Sequence, residues 1–280
     1  MAARRAATTS NRRAATTSNW REAGRGWGAR ATEWAFLFEP YALPANELLF
    51  DELAVTAGTR LLDVACGSGF AAAVAARRGA IVSGIDASEQ LVAIAGARTP
   101  GGSFQACDMF ALPFPDDSFD VVTSFNGIWK GCEGALDEAR RVLVPDGRFG
   151  TTFWGRFERM GLLPYFLKVI ELSPASHGAA NVEHGDTQNV IEDMMKEAGF
   201  GDLHGGTINV VNEWPDVATA VRALAAAGPS VPAIEAVGYD AFCDAIAEAV
   251  APSYEDRLGV RITSEFGWMT ARPVEPESTE

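Results

Sequence analysis

The stretch RLLDVACGSGFAAAVAARRG (60–79) most constrains what this chain can fold into. An apolar run, RLLDVAC (60–66), gives way to glycines and then to an alanine-rich segment that ends at Gly79. Short apolar runs bounded by turn residues read as buried strands, and a glycine just past a helical pattern reads as its C-terminal stop. The order is strand, tight turn, helix. It recurs downstream. AIVSGID (80–86) is a second strand, followed by a helix that opens at Ser88 with Glu89 in its first turn. SFQACD (103–108) and SFDVVTSFN (118–126) read as a third and a fourth strand. EGALDEARRVLV carries apolar residues at helical spacing; the turn Pro145-Asp146-Gly147 closes it and leads into RFGTTFWG, a fifth strand. Apolar strands alternating with helices imply an α/β fold with a mostly parallel sheet covered on both faces.

The first turn carries chemistry. Gly67 and Gly69 let the backbone approach a ligand closely and aim helix N-terminal amides at an anionic group. GSGFAA (67–72) also satisfies the dinucleotide pattern G-x-G-x-x-A, so the loop alone does not choose between cofactors. Asp86, with Ala87 after it, ends the second strand about 20 residues on, where an acid accepts from ribose hydroxyls. Asp63 stands just before the glycines. There it would crowd a pyrophosphate, yet it suits the ammonium of a methionine moiety. Asp108, ending the third strand, can accept from an adenine amino group, with Met109 beside it as an apolar wall. Three acids around a cationic sulfonium are favourable, and around two phosphates they are not. S-adenosylmethionine is therefore the expected cofactor and S-adenosylhomocysteine its product.

Charge narrows the partners. A formal charge of −14 and a pI near 4.7 repel phosphate backbones and anionic bilayers. No apolar run approaches the roughly 18–20 residues of a membrane span, and the N-terminus lacks a signal-like apolar stretch, so a cytoplasmic protein is expected. Cys66, Cys107, Cys132 and Cys243 are scattered, with no metal-ligand spacing, so neither zinc nor disulfides are expected. A small-molecule partner remains, with the chain a monomer or homodimer.

The expected organisation has five parts. Residues 1–19 contain the tandem repeat RRAATTSN, too short in period to build a fold and too polar to bury a core, and read as a disordered arm. Residues 20–57 form an N-terminal helical cover, 58–155 the cofactor-binding core, and 156–272 the remaining strands with helical insertions. Residues 273–280 form an acidic tail. Helices are expected over 160–172, 186–199, 216–227 and 239–250, and strands over 205–214 and 261–271. The insertion between those last strands is longer than an ordinary connection, as lids and binding elements commonly are.

LLDVACGSGF, GIDASEQLVAIA, CDMFALPFPDDSFDVV and EARRVLVPDGRF resemble successive motifs of class I methyltransferases, particularly those similar to ubiquinone/menaquinone biosynthesis C-methyltransferases. The resemblance covers about residues 58–153, in order. It departs at Ala65, where the family usually has glycine before its cysteine, and at Asp146. It implies a Rossmann-like, seven-stranded, mostly parallel sheet with the last strand antiparallel. It also implies an aromatic N-terminal helix over the donor, matched here by WGARATEWAFLFEPY (27–41), with Trp27 and Trp34 near the methionine end. Ordinary packing of an amphipathic helix explains either tryptophan equally well.

Methyl transfer requires a nucleophile in line with the S–CH₃ bond, with the protein supplying position, desolvation and sometimes a base. The end of the fourth strand, Ser124-Phe125-Asn126-Gly127, should flank the methyl group, because ligands sit beyond the carboxyl ends of parallel strands. Phe125 is assigned to the cofactor and Asn126 to the acceptor. Trp129 either lines an aromatic acceptor pocket or packs in the core. No Asn-Pro-Pro-Tyr sequence, the mark of class I enzymes acting on planar nitrogens, is present. His184, preceded by Glu183, is the candidate general base, unless it is an exposed loop histidine. The function expected is methyl transfer to O, C or N of a small apolar or aromatic metabolite. An NAD-dependent oxidoreductase and a catalytically silent cofactor-binding protein are the alternatives.

Overall fold

A computed structural model describes residues 20–174 and 187–274. Strands β1 (Arg60–Val64), β2 (Ile81–Asp86), β3 (Ser103–Ala106), β4 (Phe119–Phe125), β5 (Leu143–Trp154), β6 (Phe200–Trp214), β7 (Tyr254–Glu255) and β8 (Gly259–Pro273) form one sheet. Its order is β3-β2-β1-β4-β5-β8-β6, with the two-residue β7 hung on β8. β1 to β5 run parallel, and β8 is antiparallel to both β5 and β6. The seven-strand path with its last strand reversed is the architecture the sequence implied, and β7 is an eighth, minor strand.

Local sequence explains most helices. Helix α4 (Phe70–Arg77) is mostly alanine and starts after Gly69, whose φ of +73° is left-handed. A Cβ on Gly69 would lie 2.6 Å from the Ala95 Cβ, so glycine also lets α4 sit close against α5 (Glu89–Arg98). Ser88 caps α5 by accepting from the Leu91 amide at 3.2 Å. Asp216 does the same for α9 (Val217–Ala225), accepting from the Thr219 amide at 2.7 Å.

Two segments differ from the reading above. The stretch 27–41 is not one helix. α1 (Trp20–Gly28) and α2 (Ala31–Glu33) are followed by a π turn (Trp34–Phe38), a 3₁₀ turn (Glu39–Ala42) and α3 (Leu43–Glu52). Pro40 has no N–H to continue the α ladder. The chain therefore widens before it, the Glu39 amide reaching back to the Trp34 carbonyl, and tightens at it. Pro145-Asp146-Gly147 is not a free turn but a bulge inside β5: Phe119 pairs with Leu143, while Val121 pairs with Arg148.

Each sheet face has its own core. On one, Leu62, Val64, Val122, Phe149, Phe153 and Met269 pack under α6 (Glu133–Val142) and α8 (Thr187–Glu197). On the other, Leu61, Val121 and Trp268 pack under α3 and α4 through Leu49, Phe50 and Val74. Each fully buried side chain of this size contributes about 1.5–3 kcal/mol. β5 ends at the pair Trp154–Phe266, so the first half of β8 and the second half of β6 extend beyond the carboxyl ends of the parallel strands. On that projection sits a further core: Trp214, Val260 and Ile262 with α7 (Leu163–Leu172), α9, α11 (Tyr239–Val250) and Phe38. α10 (Ser230–Val237), not anticipated from sequence, joins the same assembly. Among the described residues no single helix is long and apolar enough to cross a membrane.

Candidate functional site

The loop after β1 turns by using left-handed backbone three times, at Ala65 (φ +57°), Gly67 (+55°) and Gly69 (+73°). Ala65 bears the steric cost of a Cβ in that region, where glycine would carry none. It stands beside the end of β4, because a Cβ on Gly127 would lie 2.6 Å from its own.

Around this loop stand three carboxylates, two of them buried and the third largely so. Asp63 is 2% exposed, and the Thr123 hydroxyl donates to its Oδ1 at 3.0 Å. Burial, reinforced by the charges of Glu39 and Asp86, pushes its pKa up to about 8. Asp86 accepts from the Gly67 amide at 2.9 Å and the Ser88 amide at 2.8 Å, stapling the loop to the start of α5. Burial raises its pKa also, against the lowering effect of those amides. Ala87 continues the same turn and is covered by α1: a Cβ on Gly24 would meet its carbonyl.

The third carboxylate, Glu39, escaped sequence reading. The Ser68 amide donates to its Oε1 at 3.0 Å, the Ser68 hydroxyl donates to Oε2, and Arg98 Nη1 reaches Oε2 at 2.8 Å. A Cβ on Gly67 would fall 2.6 Å from Glu39 Oε1, so the glycine cradle faces this carboxylate. Burial raises the Glu39 pKa, and Ser68 and Arg98 oppose that rise. Arg98 also donates to the carbonyls of Ala35 at 2.5 Å and Ser68 at 3.2 Å. Glu39 had no local signal. It follows an aromatic run and precedes Pro40, and its partners lie 29 and 59 residues away.

The remaining expected residues fall into place unevenly. Asp108 is half-buried, and its Oδ1 accepts from the Phe110 amide at 3.0 Å. Met109, half-buried, packs against the core under α6. Trp34 reaches the loop itself: its buried Nε1 lacks a hydrogen-bond partner and lies 3.6 Å from the Cβ position of Gly67. Trp27 is one ring further out, edge-on to Trp34 at 4.8 Å and pressed on Gly228. Phe125 packs edge-on to Phe50 at 5.4 Å. Asn126 has left-handed backbone, accepts from the Thr152 hydroxyl at 3.4 Å and meets the Tyr41 hydroxyl. Burial, then the Glu39 charge, push the Tyr41 pKa up, keeping it neutral. Trp129 is 47% exposed on the loop after β4, so its ring does not pack in the core. His184 lies outside the described residues; His204, on β6, is exposed and 3.7 Å from Glu52.

A run of aromatic rings spans the carboxyl side of the sheet. Trp34 stacks on Phe38 at 4.7 Å, Phe38 meets Tyr41 at 5.0 Å, Tyr41 meets Phe266 at 5.6 Å, and Phe266 meets Trp154 at 4.8 Å.

Residues 62–151 match the family model described as "Methyltransferase domain". A demethylmenaquinone methyltransferase of Clavibacter sepedonicus is 42% identical over 169 residues, covering 54% of this chain and 69% of that protein. The chain belongs to the class I S-adenosylmethionine-dependent methyltransferases. An uncharacterised protein of Mycobacterium bovis is 34% identical over 137 residues, 46% of this methyltransferase; the match spans about half the length of that relative. The phosphoethanolamine N-methyltransferase 2 of Haemonchus contortus, solved with phosphomonomethylethanolamine and S-adenosylhomocysteine, shares the fold. Its TM-score is 0.53 at 19% identity, covering 83% of this chain and 53% of that one. The donor set in this methyltransferase fits the family's cofactor: Asp63, Asp86 and Glu39 converge on one loop against the single guanidinium of Arg98. Such a set favours a ligand carrying positive charge.

Proposed function

We propose that this methyltransferase transfers the methyl group of S-adenosylmethionine to a small apolar or aromatic acceptor held between the glycine loop and the lid helices. The observation that carries the reading is the convergence of the Asp63, Asp86 and Glu39 carboxylates around Gly67, directly beneath an aromatic layer from the N-terminal segment.

The cofactor supplies a sulfonium-activated methyl group and a neutral thioether leaving group. The chain supplies everything else. Asp86 is assigned to the ribose: each of its oxygens takes one backbone amide, and an ionised carboxylate has about four lone-pair sites, so accepting capacity remains. Asp63 is assigned to the methionine ammonium, with Thr123 orienting it. Asp108 and Met109 are assigned to the adenine edge and face. Ala65, Gly67 and Gly69 shape the backbone for close approach, and Phe125 and Trp27 close the sides. Asn126 and Tyr41 stand beyond the end of β4, where an acceptor atom would be oriented. The helices α7, α9, α10 and α11, carried on the β6–β8 projection, act as the lid that excludes water. Exclusion of water strengthens every charge interaction beneath them. Transfer needs no protein base when the acceptor atom is already nucleophilic, so His184 is not required by this arrangement.

Calorimetry with S-adenosylmethionine and NAD, followed by S-adenosylhomocysteine release on a panel of aromatic and aliphatic acceptors, tests the reading. Binding of the sulfonium compound alone together with product release is the expected result. Binding of NAD in preference would overturn it.

A further inference from the structure

Asn212 lies near the C-terminal end of β6, 1% exposed, with neither Nδ2 nor Oδ1 hydrogen-bonded. Among the described residues it is the side-chain amide whose nitrogen and oxygen are both unpaired in the interior. Asparagine is disfavoured in strands, and a buried amide without partners is costly, so a position that needs only packing would hold valine.

Its surroundings explain why nothing among the described residues satisfies it. Burial alternates along β6, and Val210, Asn212 and Trp214 share the buried face. Across the ladder Asn212 pairs with Ile262, itself buried. Val210 belongs to the cluster of Ala45, Phe266, Tyr41 and Trp154. Trp214 donates to the Leu37 carbonyl at 2.7 Å and stands 6.3 Å from Phe38. Along β6, Asn212 is thus flanked by one neighbour that meets the aromatic run at Phe38 and another that meets it at Tyr41, Phe266 and Trp154, on the projection that carries the lid.

We propose that Asn212 is the polar anchor of the acceptor pocket and selects acceptors whose apolar body carries a hydrogen-bond donor beside a hydrogen-bond acceptor. The amide matches such an edge, Nδ2 donating to a carbonyl or ether oxygen and Oδ1 accepting from a hydroxyl or N–H. Aromatic walls take the apolar body and leave discrimination to one amide, the usual division of labour in small-molecule pockets. The inference rests on the methyltransferase reading for what happens to the bound molecule, but not for where it binds.

The test compares the full chain with its Asn212→Val and Asn212→Ser variants. Thermal melting, S-adenosylhomocysteine affinity by calorimetry, and a panel of paired aromatic compounds are measured. Members of a pair differ only in a hydroxyl placed next to a ring carbonyl. Panel binding to the S-adenosylhomocysteine complex is read by tryptophan fluorescence, and turnover by product release. The valine variant should melt at or above the wild-type temperature and keep its cofactor affinity. Its preference for the hydroxylated member should fall roughly ten- to a hundred-fold, because a site built to bond a hydroxyl rejects the analogue lacking it. Lower melting temperatures in both variants would show that the amide is satisfied structurally and overturn the proposal. An unchanged preference would overturn it, as would a panel that fails to bind wild type. Asn212-dependent binding without product release would instead defeat the methyl-transfer reading and leave the anchor standing.

Discussion

Glu39 Oε2 lies 2.8 Å from Arg98 Nη1, with only 14% and 16% of the two side chains exposed. The pair ties the π and 3₁₀ turns of the N-terminal cover to α5, and through Ser68 both residues grip the glycine loop. Cover and loop are therefore one mechanical unit.

Removing one member leaves the other buried without its counter-charge, which costs about 3–5 kcal/mol. Glu39→Gln and Arg98→Met should each destabilise by an amount of that order in urea unfolding. The double variant should lose less than the sum, with coupling of about 1 kcal/mol or more. Additive losses would show that the two side chains act separately.

Asp63 gives the protein a pH dependence. Its pKa of about 8 lies above the ordinary 3.8, so the folded protein retains a proton that the unfolded chain releases. That stabilisation is present at low pH and is lost as pH rises from about 4 through about 8. The free protein should accordingly melt lower at pH 8 than at pH 6, and Asp63→Asn should flatten that difference. Affinity for S-adenosylmethionine, which needs the ionised form opposite its ammonium, should rise over the same interval in the wild type only. Parallel profiles in both proteins would remove Asp63 from the site.

Asp86→Ala should weaken S-adenosylhomocysteine binding ten- to a hundred-fold, the equivalent of about 1.5–3 kcal/mol for a lost charge-assisted bond. It should also lower stability, because the Gly67 and Ser88 amides lose their acceptor. Calorimetry beside thermal melting separates the two effects, and full affinity in a folded variant would displace Asp86 from the ribose.

Ala65→Gly should raise stability. Relief of left-handed strain is worth about 1–2 kcal/mol, and the added freedom of glycine in the unfolded chain takes back about 0.4–1 kcal/mol. The net gain lies between about 0 and 1.6 kcal/mol, visible as a higher urea midpoint. A lower midpoint would show that contact of its methyl group with the Gly127 backbone outweighs the strain.

What could be read in the sequence was what neighbouring residues decide. The β1–loop–α4–β2 unit, the Ser88 cap and the Gly79 stop each rest on partners within a few positions, so pattern and composition suffice for them. The placement of Asp63 and Asp86 at strand ends was legible, because a strand's end delivers its side chain to a predictable edge. Glu39, Tyr41 and Asn212 were not, since their significance lies in partners, or missing partners, brought together by long-range packing. The same limit applies to 27–41, where the family resemblance implied one helix and the absent N–H of Pro40 broke it into three kinds of turn. Trp129 carries an apolar ring on a loop that the fold turns outward, which no local pattern signals.

β8 enters the sheet between β5 and β6, although it follows both in the chain. β6 therefore has no sheet neighbour until residues 259–273 have been synthesised, and β5 keeps an open edge for just as long. A chain cut before Gly259 would present two unpaired strand edges at once, one of them 15 residues long. Exposed edges of that kind recruit other chains. Nascent or proteolytically shortened forms of this protein should thus be unusually prone to aggregate, and the last strand acts as the closing stitch on which solubility of the whole sheet depends.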